Sequence, residues 1–270
     1  MIFGPTGSMG QLISKLACED PDIEIVAACD VHKVGEPLAN VIGMNLSETI
    51  KISDVNDLSN IIKATTPDVA VDFTVAAATE KNTVVCIQNG IRCVIGTTGL
   101  SEEFMEKIEG IIKEYNVPAV ISSNMATGVN VFFKILSVLS PYLKEWDIEI
   151  IEAHHHRKRD APSGTALTAG HIIAEAIDCE FEEVAKFGRE KGPNKREIGA
   201  TKEIGVHSIR AGDIVGEHII LYGGPGERIE FKHQAHSRDC FASGAIKAIK
   251  FIKIQEQIQI YDMRDVLSLK

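Results

Sequence analysis

Ile2-Phe3-Gly4-Pro5-Thr6-Gly7-Ser8-Met9-Gly10 decides how the rest of the chain is read. Two apolar residues run into a glycine turn, and Leu12, Ile13 and Leu16 then recur at helical spacing. The turn reads G-x-x-G-x-x-G where the commoner form is G-x-G-x-x-G. Strand, glycine turn and helix in that order open a dinucleotide-binding unit. The glycines let the backbone approach a pyrophosphate, and the helix N-terminus stabilises its charge. Ile23 to Cys29 is β-rich and ends at Asp30, about 20 residues past the turn, where such a unit offers an acid to the adenosine ribose. An ordinary tight turn followed by a solvated aspartate is the plainer reading, and the flanking strand and helix favour the cofactor. Only three residues precede Gly4, so the first strand is very short.

The alternation continues outward. Asp57 to Ala64 reads as a short helix, Val69 to Phe73 as a buried strand, and Ala76 to Gln88 as a helix closed by Asn89-Gly90. Cys93 to Ile95 is a strand ending in Gly96-Thr97-Thr98-Gly99, and Ser101 caps a helix that runs to Tyr115. Pro118 to Ser122 is the next strand, followed by Ser123-Asn124-Met125. This rhythm predicts an α/β fold with a mostly parallel sheet covered on both faces, and ligands at the C-terminal ends of its strands. Residues 34–50 show no period. After Asn124 the pattern changes to an apolar helix from Gly128 to Leu143, bent near Pro141, and an alternating strand from Asp147 to Glu152. Ala166 to Ile177 is helical, and the glycine-rich, charged stretch from Lys186 to Lys202 reads as a mobile loop. His207 to Ile220 and Arg228 to His233 read as strands, and Phe241 to Ile254 as the last helix.

The strongest chemical signal is His154-His155-His156-Arg157-Lys158-Arg159-Asp160-Ala161-Pro162-Ser163-Gly164-Thr165. Arg157, Lys158 and Arg159 less Asp160 leave a local charge of +2 in a chain whose 28 basic and 38 acidic residues give −10. A positive island in an acidic protein suits a small anion. Pro162 suits a first helical position, and the free N–H groups of that turn would hold a carboxylate or phosphate. Three consecutive side chains point in different directions, so the histidines do not form a zinc site. An imidazole titrates near working pH and suits proton transfer, and Lys158, among cations, suits a second acid. Ser163 lacks the G-x-S-x-G elbow of a nucleophile.

The bulk numbers bound the function. The 270 residues suffice for two domains, and the net charge of −10 argues against nucleic acid. No apolar run approaches the ~20 residues of a membrane span, and no signal peptide is evident. Cys18, Cys29, Cys86, Cys93, Cys179 and Cys240 form no CxxC pair and read as reduced thiols of a cytoplasmic protein.

Across essentially its whole length the chain resembles the dihydrodipicolinate reductase family of the diaminopimelate–lysine pathway. The residues that carry the resemblance are Glu152-Ala153-His154-His155 with Lys158, and Asp160-Ala161-Pro162-Ser163-Gly164-Thr165. Supporting them are Val71-Asp72-Phe73-Thr74, Ile95 to Gly99, Gly128 to Val131, Arg210-Ala211-Gly212-Asp213-Ile214-Val215-Gly216-Glu217-His218 and Asp262 to Val266. The resemblance implies a dinucleotide-binding domain over 1–125 and 236–270, with an α+β domain over 126–235 that binds substrate and builds a homotetramer. It implies His154 as proton donor and acceptor and Lys158 as second donor. It places His155, Ser163, Gly164 and Thr165 on a cyclic dicarboxylate. Gly4, Pro5, Thr6, Gly7, Ser8, Met9, Asp30, Gly96, Thr97, Thr98, Ser122, Ser123, Asn124 and Met125 would line the cofactor. Val31 stands where the family often has an arginine, and Asp30 where it often has a glutamate, so NADH is expected ahead of NADPH, with Lys33 the residue through which NADPH is accepted. Met125 replaces an aromatic residue often found near the nicotinamide.

Three other readings compete. A semialdehyde dehydrogenase needs a reactive thiol, for which Cys86 and Cys93 are the candidates. A sensing module would keep the fold and lose turnover. A hydrolase would carry zinc.

Overall fold

The computed structural model describes residues 1–45, 49–196 and 203–269. The chain forms two compact units, Met1–Thr127 with Arg238–Lys270, and Gly128–Ser237.

The first unit alternates β1 (Ile2–Phe3), α1 (Ser8–Glu19), β2 (Ala28–Asp30), α2 (Leu38–Ile42), β3 (Ile52–Asp54), α3 (Leu58–Thr65), β4 (Val69–Asp72), α4 (Ala76–Gln88), β5 (Arg92–Ile95), α5 (Glu102–Tyr115) and β6 (Ala119–Ile121). Successive strand residues point to opposite faces, and each face carries a helix layer. Ile2, Val69, Val71, Val94 and Val120 pack on one side with Ile13 and Ala17 of α1 and Leu38 and Ile42 of α2. Phe3, Ala70, Cys93, Ile95 and Ala119 pack on the other with Leu58 of α3, Ile87 of α4 and Phe104, Ile108 and Ile112 of α5. The expected doubly wound α/β architecture is thus present. Ser101 caps α5 as anticipated, its hydroxyl accepting from Phe104 N at 3.1 Å.

The second unit begins along α6 (Thr127–Leu139), which tightens into a 3-10 turn at Ser140–Leu143, where Pro141 removes a backbone donor. It continues through β7 (Asp147–His154), α7 (Gly164–Ala176), α8 (Phe181–Val184), β8 (Ala185–Phe187), β9 (Ile204–Arg210), β10 (Gly216–Gly224) and β11 (Glu227–Ala235). These strands form a mixed sheet in the order β11-β10-β7-β9-β8. Ile148 and Ile150, Ile204 and Val206, and Ile220 and Tyr222 line one face against α6 and α7.

The chain then returns to the first unit with α9 (Asp239–Lys253), β12 (Ile260–Tyr261) and α10 (Met263–Val266). β12 completes a seven-stranded parallel sheet, β12-β6-β5-β4-β1-β2-β3. Ala242, Ala245, Ala248 and Ile252 of α9 join the layer that holds α1.

Several expectations need correction. The strand predicted over Ile23 to Cys29 pairs only from Ala28 to Asp30. The stretch 34–50, read as aperiodic, contains α2; residues 46–48 lie outside the described residues. The single strand predicted over His207 to Ile220 is two strands joined by a turn at Gly212, whose φ of 47° is left-handed. Of the loop predicted to be mobile, residues 197–202 lie outside the described residues. Its first part pairs as β8, and Arg189 and Arg196 are fastened to Glu149 at 2.7 and 2.9 Å. Pro162 is not the first helical residue: Ser163 is the N-cap of α7, with Pro162 just before it.

Candidate active site

At the C-terminal end of β1 the glycine turn closes on itself. A Cβ on Gly10 would lie 2.0 Å from the Gly4 carbonyl oxygen, so only glycine fits there, and Gly4 itself adopts a left-handed φ of 65°. Helix α1 starts at Ser8 with no capping side chain and no acidic residue in its first turn. A positive helix end without a competing carboxylate fits a pyrophosphate. Arg238, from the returning chain, donates to Ser8 Oγ at 3.3 Å and adds a fixed cation beside the turn.

Asp30 ends β2, and its carboxylate is held by the glycine turn and by the residues that follow it. One carboxylate oxygen accepts from Thr6 Oγ at 2.7 Å and Thr6 N at 3.2 Å; the other accepts from Val31 N and His32 N at 2.8 and 3.0 Å. Burial works against its charge, but these hydrogen bonds outweigh it and hold the carboxyl below its ordinary value. Asp30 therefore fastens the turn to the end of β2. Thr97 is likewise buried, joined to Thr79 Oγ at 2.8 Å, while Asp72 accepts from Thr74, Thr79 and Asn82. Gly96 gives the Phe73 ring its place: a Cβ there would lie 2.1 Å from a ring carbon. At the end of β6, Ser122 Oγ donates to the Asn124 carbonyl at 3.0 Å, and Met125 is buried.

In the second unit the alternation of β7 puts Glu152 and His154 on the same inward face. Glu152 is fully buried. Its Oε2 lies 2.6 Å from His154 Nδ1. Arg210, at the end of β9 and in register with His154, grips both oxygens at 2.9 and 2.8 Å. Ser163 N donates to Oε1 at 3.2 Å. Burial alone would raise the Glu152 carboxyl, but the hydrogen bonds from His154, Arg210 and Ser208 prevail and hold it well below the usual carboxylate range. Arg210 also reaches the Asp160 carbonyl at 2.6 Å, tying down the loop that carries Lys158.

Of the cations that flank Lys158 in sequence, Arg157 is engaged elsewhere. Arg157 turns to Asp213 at 2.8 Å, and Lys158 Nζ donates to the Asp160 carboxylate at 2.8 Å. His156 turns away to the Gly212 carbonyl at 2.9 Å, while His155 is half-buried. Ser163 is buried and engaged: its hydroxyl caps α7 through Ala166 N and sits 3.0 Å from His218 Nε2. Gly164 and Thr165 form the first turn of α7 beyond it.

His218 closes the Arg210 to His218 stretch of the resemblance, but the sequence reading gave it no role. It is buried, and its ring meets His154 edge-on with centroids 5.3 Å apart. Burial pushes its imidazole down to about 3, with His154 and His233 adding to the effect. The unfolded chain takes up this proton near pH 6.5, whereas the folded unit refuses it until far lower. Stability is therefore full above that range and falls as pH drops, by at most ~1.4 kcal/mol per pH unit. Urea melts at pH 6.5 and pH 5 should differ by about 2 kcal/mol, and His218→Asn should remove most of that difference. An unchanged difference in the variant would assign the slope to other groups.

A doubly wound sheet with an uncapped glycine turn, in one chain with a second unit holding a buried acid–imidazole pair, defines a class: the two-unit oxidoreductases built on a dinucleotide-binding sheet. Family models agree on a narrower assignment. The model for the dihydrodipicolinate reductase N-terminus matches residues 1–125, and that for the C-terminus matches residues 128–267. The chain is 45% identical over 275 residues to the 4-hydroxy-tetrahydrodipicolinate reductase of Methanothermobacter thermautotrophicus, covering 99% of this chain and 98% of that protein. It is 46% identical over 269 residues to the protein of that name from Methanosarcina mazei, covering 99% and 98%. A dipicolinate-bound dihydrodipicolinate reductase from Paenisporosarcina sp. TG-14 superposes with a TM-score of 0.76 at 28% identity, covering 98% of this chain and 97% of that one. The chain belongs to the dihydrodipicolinate reductase family.

Proposed function

We propose that the protein reduces 4-hydroxy-tetrahydrodipicolinate to tetrahydrodipicolinate with a reduced nicotinamide dinucleotide, one hydride and one proton being added and the 4-hydroxyl leaving as water, a step of diaminopimelate and lysine biosynthesis. Family membership supplies the reaction. The observation in the molecule that carries it is the buried Glu152–His154 pair, clamped by Arg210 next to the Lys158 loop. Coupling freshly generated substrate to dinucleotide oxidation, followed by absorbance, tests it; no oxidation above the substrate-free rate rejects it. Pyridine-2,6-dicarboxylate, a flat dianion, should compete.

Residues Gly4, Pro5, Thr6, Gly7, Ser8 and Met9 hold the pyrophosphate: the N–H groups of Gly4, Thr6 and Gly7 are already engaged and Pro5 has none, so these four shape the turn, and the first-turn N–H groups of Ser8 and Met9 take the phosphate. Asp30 keeps the turn in shape, and Gly96, Thr97, Thr98, Ser122, Ser123, Asn124 and Met125 line the nicotinamide end. When bound, the dinucleotide supplies a hydride. His154 passes a proton, Lys158 gives a second, and His155, Gly164 and Thr165 hold the two carboxylates of the cyclic substrate. Ser163 contributes by setting the start of α7, since its hydroxyl and N–H are already engaged. The thiol reading loses its support: Cys86 and Cys93 are buried in the core under α4 and β5.

NADH is the preferred cofactor in this reading. Val31, next to Asp30, is exposed, and Lys33 is turned toward Glu36 at 3.7 Å. A 2′-phosphate meets no fixed guanidinium there. Calorimetric titration should give a lower Kd for NADH than for NADPH. Val31→Arg should tighten NADPH about tenfold, the worth of one charge-assisted hydrogen bond of ~1.5 kcal/mol. Tighter NADPH binding by the wild type would remove the preference.

We also read the enzyme as a cytoplasmic homotetramer. The sheet face of the second unit away from α6 and α7 carries Ile151, Ile219, Leu221 and Ile209, an apolar surface that supports assembly through this unit. No helix among the described residues is long and apolar enough to cross a membrane.

A further inference from the structure

We infer that Glu152 and Arg210 together fix His154 as the Nδ1–H tautomer, so that the proton of the reaction passes through Nε2 and both residues are positioning residues for it. The inference rests on the proposed reduction for its kinetic consequence, but the tautomer follows from the hydrogen-bond inventory alone.

Besides the Ser208 hydroxyl, which also hydrogen-bonds to it, four donors and ring atoms surround the Glu152 carboxylate. Arg210 Nη1 and Nη2 approach one oxygen each, Ser163 N approaches Oε1, and His154 Nδ1 approaches Oε2. The guanidinium and the backbone N–H are donors that never accept. A protonated Glu152 would have to point its hydroxyl at one of them, or at His154. The bidentate guanidinium sets a full positive charge against both oxygens and the serine N–H adds to Oε1, which favours the charged form, so the carboxylate is ionised. An ionised carboxylate only accepts. Nδ1 at 2.6 Å must then carry the hydrogen, and Nε2 is left with the lone pair in the neutral ring.

The surroundings of Nε2 fit that assignment. A Cβ on Gly216 would lie 3.1 Å from Nε2, so the absence of a side chain leaves that nitrogen room. His218 meets the ring edge-on, with centroids 5.3 Å apart. His218 is held neutral and makes its hydrogen bond to Ser163, so it does not compete for Glu152.

Glu152→Gln is the sharp test because it keeps the shape and inverts the hydrogen bonding. Ser163 N and Arg210 Nη2 converge on Oε1 and will hold the single amide oxygen there. The amide NH2 is then left at the Oε2 place, facing His154 Nδ1. A donor in that place makes Nδ1 an acceptor and moves the hydrogen to Nε2. Solid-state 15N NMR of the full chain labelled at histidine, with His154 assigned by its loss in His154→Gln, reads the tautomer directly. The wild type should show a protonated Nδ1, and Glu152→Gln a protonated Nε2. With that inversion kcat should fall about a hundredfold, while KM and the dinucleotide Kd stay within twofold.

Gly216→Ala is the second variant. It crowds Nε2 and leaves Glu152 and Arg210 intact, so it should lower kcat while keeping Nδ1 protonated. A wild-type His154 protonated at Nε2 overturns the inference, as does Glu152→Gln turning over at the wild-type rate. If the wild type shows the Nδ1–H form but does not reduce the substrate, the proposed reaction is rejected while the tautomer assignment stands.

Discussion

His154→Gln should lower kcat by a factor on the order of 10² to 10⁴ and leave KM and dinucleotide affinity within about twofold. The size comes from what the change removes. Glutamine is of similar size but its amide falls near the Nε2 place, so the bond from Nδ1 to Glu152 is given up, while the Glu152 oxygens remain gripped by Arg210 and Ser163. The buried carboxylate is therefore not orphaned, and the fold is spared the several kcal/mol that an unpaired buried charge costs. What disappears is a group that can take and give a proton near neutral pH. Loss of a single binding hydrogen bond, at ~1 kcal/mol, would account for only about fivefold. Steady-state kinetics with calorimetric titration of the dinucleotide separates the two, and turnover at the wild-type rate would strip His154 of its role.

Gly244→Ala should destabilise the first unit by about 2 kcal/mol or more, although helix propensity predicts a gain of roughly 1 kcal/mol. Gly244 lies inside α9, where the helix passes over the backbone that follows β6. A Cβ there would stand 1.7 Å from the Met125 carbonyl oxygen and 2.6 Å from its carbon. No rotamer relieves a clash between a Cβ and backbone, so α9 or Met125 must move. Moving α9 lifts Ala242, Ala245 and Ala248, all fully buried, off the sheet. Moving Met125 disturbs the Ser122–Asn124 turn at the end of β6. Thermal unfolding should show a Tm lower by several degrees, with weaker dinucleotide binding. A raised Tm would mean that the close approach of α9 is not real.

The two variants also mark where the sequence was readable. His154 was legible as a proton carrier, but the strand expected over Asp147 to Glu152 stopped short of it, and only β7 running on to His154 puts acid and imidazole on one face. The glycine turn is local, because its conformation depends on the residues within it. Arg210 could not be assigned a partner from the sequence, since its grip on Glu152 depends on β9 lying parallel to β7 in one register. His218 could not be given a role for the same reason: it meets Ser163 only across the β10–β7 pairing. Asp30 illustrates a subtler miss. Its place at the end of β2 was evident, but its engagement with Thr6, Val31 and His32 emerges only when the turn folds back on it. Lys158 was read by its neighbours in sequence, yet its neighbour in space is Asp160. The short elements α2, β3 and β12 escaped because two to five residues are too few to establish a period.

Taken by itself, the order of residues determined the alternating α/β layering, the glycine turn and the types of group available for proton transfer. These depend on periodicity, backbone preference and side-chain chemistry, which act over a few residues. Only the tertiary structure decided which carboxylate meets which imidazole, which cation is engaged by an acid, and why glycine is required at position 244. Those are set by strand register and by the path of a helix returning from the far end of the chain. Contacts between residues far apart in sequence leave no local periodic trace.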